Sequence, residues 1–144
     1  MKRLTILLAC LIGITSFVSC SKDDDEGGAD AFVGYYNVSV IENVVWGGTS
    51  GTLNDSGVMS ISKISDNKVK VEGYISTIGE VVGNLIYFES SSSSDSSGYL
   101  TISYGVGTLN GNVLTFTANQ TGQLASNGVM FPFRCSASFT AIKQ

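Results

Sequence analysis

The sequence predicts an all-β fold: a single antiparallel up-and-down barrel of about eight strands, with a β-sandwich as the alternative. Two observations carry this prediction. Apolar and polar residues alternate over most of the chain after Phe32, and Gly- and Asn-containing turn signals separate the alternating segments. No segment after Phe32 places apolar residues at helical spacing. Short strands joined by tight turns in one small domain are typical of barrels and sandwiches.

The longest alternating segment lies at the C-terminus. Its apolar and small residues share one parity: Val129, Phe131, Phe133, Cys135, Ala137, Phe139 and Ala141. Because successive side chains of a strand point to opposite faces, this parity is expected to face a core. We therefore predict that Phe131, Phe133, Cys135 and Phe139 are core residues, and that Phe133→Ala destabilises the protein strongly.

The turn signals divide the remaining chain into strands. We predict strands near 33–42, 58–64, 68–76, 79–82, 85–89, 99–106, 113–119 and 129–142, with a further strand near 44–53. The turns between them are Asp66-Asn67, Gly83-Asn84, Asn110-Gly111 and Asn127-Gly128, and Asn110-Gly111 suits a type I′ hairpin. The serine-rich segment 90–97 is predicted as a flexible loop, and segment 46–57 as a second flexible stretch.

The N-terminus follows the plan of a secretory signal. Lys2 and Arg3 precede an uncharged apolar run over residues 4–18, which ends at Ser19 and Cys20. This run is shorter than the roughly 20 residues that a bilayer-spanning helix needs. Residues 17–20, FVSC, resemble a bacterial lipobox. We predict a lipoprotein signal peptide (1–19), an acylated Cys20 with an acidic flexible tether (20–31) and a β-barrel domain (32–144).

A charged cluster follows Cys20 directly, and it consists of Ser21, Lys22, Asp23, Asp24, Asp25 and Glu26. It resembles the surface-export signal of lipoproteins from certain gut-type Gram-negative bacteria, which implies display on the outer leaflet of the outer membrane. A solvated charge run in a disordered tether is the other interpretation, and both can hold together. We expect the lipid on Cys20 to anchor the protein in the outer membrane, facing the cell exterior.

Composition limits the chemistry. The chain has no histidine, which removes the commonest general base and metal ligand. Of three cysteines, one leaves with the signal peptide and Cys20 carries lipid, so Cys135 has no partner for a disulfide. Without Lys2 and Arg3, six basic residues remain against twelve acidic ones, a net charge of −6 that disfavours nucleic acid. We expect no enzymatic activity, no cofactor, no catalytic residue and no metal site.

Four segments of the chain together resemble a lipocalin-like (calycin-like) domain of secreted bacterial lipoproteins: FVGYYNVSV, SDNKVKVEG, GEVVGNLIYFE and GTLNGNVLTFT. The residues Gly34-Tyr35-Tyr36 stand where lipocalins have Gly-x-Trp, with Tyr36 in the place of Trp. The resemblance implies an eight-stranded barrel, often with a small apolar ligand or with no known ligand.

Trp46 and Tyr36 are the candidate ligand-binding residues. Trp46 is the only tryptophan and precedes Gly47-Gly48, so it either plugs one barrel end or offers a stacking surface for a sugar or apolar ligand. Two functions stay open. One is a surface-anchored binding module for a small apolar or glycan ligand, which a roomy barrel favours. The other is a non-enzymatic structural or accessory subunit of an outer-membrane complex, which a filled barrel with an exposed aromatic patch favours.

Overall fold

The computed structural model describes residues 28–144. The predictions for the signal peptide, for Cys20 and for the acidic cluster 21–26 lie outside the described residues. Within them, no helix is long and apolar enough to cross a membrane. This part of the chain has one short helix and ten strands: α1 (Ala29–Phe32), β1 (Gly34–Trp46), β2 (Thr49–Ser65), β3 (Lys68–Gly73), β4 (Thr77–Val82), β5 (Leu85–Phe88), β6 (Ser91–Asp95), β7 (Gly98–Tyr104), β8 (Gly107–Asn110), β9 (Val113–Ser126) and β10 (Val129–Lys143).

Eight of the strands close a ring. The order is β10-β1-β2-β3-β4-β5-β8-β9, and β9 pairs back to β10. Every pairing is antiparallel, and chain neighbours are sheet neighbours except where the β6-β7 hairpin interrupts the path from β5 to β8. The predicted all-β antiparallel fold with a barrel-like ring of eight strands is therefore confirmed. Within the ring, closure leaves no unpaired strand edge.

Part of the sheet continues beyond the ring as an open, six-stranded extension. One edge of β9 pairs with β8 through residues 113–115 and with β7 through residues 118–124. We call this part the strand extension, and its strand order is β2-β1-β10-β9-β7-β6. It consists of β6, β7 and the distal parts of the long strands: 49–57 of β2, 42–46 of β1, 129–137 of β10 and 118–126 of β9.

Helix α1 lies at the opposite end of the ring, which we call the closed end. Phe32 is fully buried there, and its carbonyl oxygen accepts a 2.7 Å hydrogen bond from the Tyr36 hydroxyl. The backbone N–H of Ala29 donates to the Asp66 carbonyl, and Lys63 Nζ lies 2.7 Å from an Asp30 carboxylate oxygen. Residues 29–31 thus belong to the folded domain, and the prediction of a flexible tether reaching residue 31 is corrected. The reason is that burying Phe32 also orders the turn before it.

Large side chains fill the ring. The Phe116 and Phe139 rings stack with centroids 4.4 Å apart, and Tyr74 meets Phe139 edge-on at 5.9 Å. Phe88 lies 4.8 Å from Phe116 on the other side. The largest fully buried side chains come from α1 and from five of the ring strands: Tyr36, Phe32, Met59, Ile86, Leu114, Val38, Val40, Val69 and Val71. An eight-stranded barrel is narrow enough for side chains to fill it in this way.

The prediction that alternate residues of β10 face inward is confirmed, but the predicted burial is wrong for two of them. Cys135 and Phe139 are buried, as predicted. Phe131 and Phe133 lie on the same face but are only half-buried, because they belong to the strand extension rather than to the ring. The predicted strong destabilisation by Phe133→Ala is therefore corrected, since a partly exposed side chain leaves a smaller cavity when it is removed.

Both segments predicted as flexible stretches contain strands. Residues 91–95 form β6, an edge strand that pairs with β7. Trp46 ends β1 opposite Thr49, and Gly47-Gly48 forms the two-residue turn between them. The side chains of β6 and of residues 49–56 are exposed on both faces, which erases the alternation that signals a strand. Backbone pairing with β7 and β1 orders them instead.

The turns follow the positive-φ requirement of tight hairpins. Asn127 and Gly128 both have positive φ, 50° and 77°, as a type I′ turn needs. The prediction of this geometry at Asn110-Gly111 is corrected by one residue. Asn110 pairs with Val113, so the turn residues are Gly111 and Asn112, and only Gly111 has positive φ. That pattern matches a type II′ turn.

Candidate functional site

The two residues predicted to bind a ligand lie at opposite ends of β1. Tyr36 is fully buried at the closed end, where burial raises the pKa of its hydroxyl to about 12. Trp46 lies at the tip of the strand extension and is 43% exposed. Ten residues rising about 3.3 Å each separate them by roughly 33 Å. The structure therefore does not bring them into one site: Tyr36 is a core residue, and Trp46 belongs to a surface.

That surface is the inner side of the strand extension. Residues paired across a sheet share a face, and the register places Trp46 beside Phe133, Val44 beside Cys135, and Phe131 beside Leu124. This face continues the inner lining of the ring but is not covered there, so its side chains are half-buried or exposed. We call it the open face, and its apolar members are Val44, Trp46, Leu53, Leu100, Ile102, Leu124, Phe131 and Phe133.

Trp46 stands between two hollows on the open face. One, of about 210 Å³, is lined by Val44, Leu53 and the backbone around Gly51. The other, of about 230 Å³, lies between Trp46 and Phe131. Both open to solvent and have room for a side chain of another molecule. The arrangement of an amphipathic aromatic ring between two shallow hollows is suited to contact with a surface.

The outer side of the extension has a different character. Its residues on β9 and β10 are mostly polar, among them Asn119, Thr121, Gln123 and Arg134. An open hollow of about 500 Å³ lies on this side and is lined by Tyr99, Thr121, Gly122, Gln123, Pro132, Phe133 and Arg134. The outer side is thus more polar than the open face, although Val45, Tyr99 and Met130 are exposed on it. An antiparallel sheet whose faces differ in this way commonly packs its more apolar face on another layer.

A small hollow marks the mouth of the ring, where its interior meets the open face. It measures about 70 Å³ and is lined by Glu42, Tyr74, Ile75, Ile102, Tyr104, Ala118, Gln120, Cys135, Ala137 and Phe139. The hollow is therefore several times smaller than small-molecule sites, which typically measure roughly 300–1,000 Å³.

Three titratable groups at or beside this mouth have shifted pKa values: Tyr74, Asp55 and Cys135. The Tyr74 hydroxyl donates a 2.8 Å hydrogen bond to Asp55. Burial and this carboxylate raise the pKa of Tyr74, while the bonds from Tyr74 and from the Ser56 N–H lower the pKa of Asp55. Burial, with the nearby charge of Glu42, raises the pKa of the Cys135 thiol. Within residues 28–144, no group of three or more Cys, Asp or Glu side chains is placed to hold a metal ion.

The sequence pattern predicted which residues of β10 share the inner face, but not that some of them are exposed. The apolar parity of residues 129–141 predicted a core, and the ring covers only its C-terminal part. Strand length was the signal that could have shown this. Four ring strands have four to six residues, whereas β1, β2, β9 and β10 have 13 to 17. When the alternating apolar residues of one strand continue past the ends of the neighbouring strands, the last of them lie outside the core that those neighbours enclose.

Comparison with known proteins adds no family to these observations. The chain matches no protein-family model, no curated protein and no solved structure. The lipocalin-like resemblance of four sequence segments therefore remains a prediction. The ring of eight strands agrees with it in architecture, but architecture alone does not assign a function. The open face is the feature of this structure from which a function can be inferred.

Proposed function

We propose that this protein is a lipid-anchored, non-enzymatic interaction protein of the outer-membrane surface, and that the open face is its binding surface. One observation carries the proposal: an uncovered apolar face with Trp46 and two phenylalanines adjoins a ring whose interior is filled. An accessory or structural subunit uses such a face to pack on a partner. A carrier of small molecules would instead need space inside the ring.

The packing inside the ring supports a surface-binding role. The stacked Phe116 and Phe139 rings occupy its centre, and Phe32 and Tyr36 fill the closed end. The hollow at the mouth, about 70 Å³, is several times smaller than a typical ligand site. The pKa values of Tyr74 and Cys135 are raised and that of Asp55 is lowered, so all three shift away from neutral pH, where a general acid or base works best.

The position of the open face supports presentation away from the membrane. The predicted anchor at Cys20 precedes α1, which lies at the closed end. The open face lies at the other end, roughly 40 Å away along the 13 residues of β1. A protein held by its closed end would therefore present Trp46 and the β9-β10 turn outward.

A glycan or a small apolar molecule is the second candidate ligand. The observation that favours a glycan is the open hollow on the outer side of the extension, where Tyr99 lies among Thr121, Gln123 and Arg134. Aromatic rings stack on sugar faces, and such polar side chains can bond sugar hydroxyls. An apolar molecule would bind beside Trp46, in one of the two hollows of the open face.

Native mass spectrometry of the lipidated protein, purified from its own host in mild detergent, tests this function. We expect masses that correspond to the acylated chain from residue 20 and contain no additional small molecule, because the ring is filled. The variants Trp46→Ala and Tyr99→Ala serve as controls for the two surface sites. A stoichiometric apolar molecule or glycan that one of them releases would overturn the proposal and make the protein a small-ligand carrier.

A further inference from the structure

We propose that the open face binds the open face of a second copy of this chain, so that the working form is a two-fold symmetric dimer. This inference rests on the proposed function, because it names the partner of the face that the function assigns to binding. The two strand extensions would form the layers of a sandwich, and the two rings would project from it.

An amphipathic sheet needs a second layer. A sheet that is apolar on one face is stable when that face is buried against another element. Within residues 28–144 the helix packs on β2 and β3 at the closed end, far from the extension. The half-buried Phe131 and Phe133 and the exposed Trp46 and Leu53 thus remain uncovered in a single copy. A second extension supplies a layer of the same size and the same apolar character.

The size of the open face is sufficient for a specific dimer. Six strands spaced about 4.8 Å apart, with about eight residues rising 3.3 Å each, give a face of roughly 25 Å by 25 Å. Burying such a face on both copies removes roughly 1,200 Å² from solvent, which is the lower end of the range for specific interfaces. Weak and transient complexes lie at this lower end of interface size, so we expect a dissociation constant in the micromolar range.

Charge also favours a second copy at this face. The predicted mature chain has a net charge of −6, so most of its surface repels another copy. The charged residues of the open face lie at its margins: Glu42 and Asp55 at the ring mouth, and Asp95 on the edge strand β6. Two acidic copies can therefore approach through the centre of this face without placing like charges opposite one another.

Large and small residues lie side by side on the open face. Trp46 and Phe133 are paired on β1 and β10. Gly122 of β9 is paired with Phe133 on one side and with Leu100 of β7 on the other, and Gly98 lies two positions before Leu100. In a two-fold interface each copy contributes the same patch, so the aromatic side chains of one copy would lie against the glycine positions of the other and in the two hollows beside Trp46.

Sedimentation velocity of matched variants tests the inference. The protein is the chain from residue 20 with Cys20→Ser, which excludes lipid-driven association. Trp46→Glu places a carboxylate on the open face, and Val45→Glu places one at the adjacent position on the outer face. The parent side chains are 43% and 45% exposed, so both substitutions start from similar burial. We expect dimers for the unsubstituted chain and for Val45→Glu at about 100 µM, and monomers for Trp46→Glu.

A second pair of variants is tested in case Trp46→Glu does not fold. Circular dichroism shows whether each variant is folded. Phe131→Glu alters the open face and Met130→Glu the outer face of the same strand. Monomers of the unsubstituted chain at every concentration would overturn the inference, as would equal weakening by both members of a pair. Filaments would also overturn it, because they indicate pairing through the β6 edge. None of these results would restore a small-ligand function, which native mass spectrometry tests separately.

Discussion

Phe139→Ala is expected to lower the free energy of unfolding by about 3–5 kcal/mol, as truncation of a buried phenylalanine typically does. Phe139 stacks on Phe116 at 4.4 Å and receives the edge of Tyr74, so its removal leaves a cavity at the centre of the ring. For a domain of this size the loss corresponds to a fall in melting temperature of roughly 10–20 °C. Chemical denaturation with urea, followed by circular dichroism, measures it.

Phe133→Ala is the matched control for Phe139→Ala. It makes the same substitution on the same strand and the same face, six positions nearer the tip, where the side chain is only half-buried. We expect it to cost less than half as much as Phe139→Ala. Equal losses for the two variants would mean that the extension is packed as firmly as the ring. The distinction between a filled ring and an open face would then be wrong.

Cys20→Ala is expected to abolish lipidation. In the proposed lipoprotein the acyl chains on Cys20 hold the protein to the membrane, and an alanine has no thiol to carry them. The variant should therefore either enter the aqueous phase of a detergent phase-partition assay or keep the mass of the uncleaved precursor. A variant that still partitions into detergent with the normal mature mass would contradict lipidation at this residue.

The acidic cluster supplies a second arm of the same experiment. Replacing Asp23, Asp24, Asp25 and Glu26 with alanine should leave lipidation intact but make the protein resistant to protease added to whole cells. Retention of the lipidated mass is the control, since it separates a failure of export to the surface from a failure of processing. Unchanged protease access would leave these residues as a tether only.

The fold could be predicted where the alternation of apolar residues in the sequence matches the burial of their side chains in the structure. In β10, alternation over residues 129–141 predicted both a strand and its inner face, and Cys135 and Phe139 are buried as that parity requires. Asn127-Gly128 was placed correctly as a turn because Asn and Gly adopt positive φ more readily than other residues. The type I′ geometry predicted for Asn110-Gly111 is matched by the two positive φ values at Asn127-Gly128 instead.

Long-range pairing accounts for what the sequence did not show. The serine-rich β6 carries no alternation and exists through its hydrogen bonds to β7. Helix α1 has four residues, too few for a periodic signal, and depends on contacts with Asp66 and Lys63 far along the chain. The open face could not be predicted either, because the strand pairing that places Trp46 beside Phe133 joins segments far apart in the sequence. Parity shows which side chains share a face, but not whether another layer covers them.

The fluorescence of Trp46 tests most directly whether a second copy of the chain covers the open face. Trp46 is the only tryptophan of the chain, and it lies on that face. If a second layer covers that face, concentrated protein should emit at short wavelength and resist quenching by acrylamide. Dilution through the micromolar range should shift the emission to longer wavelength and restore quenching, as the 43% exposed side chain of a single copy meets water. Emission and quenching that stay the same at every concentration would contradict the claim.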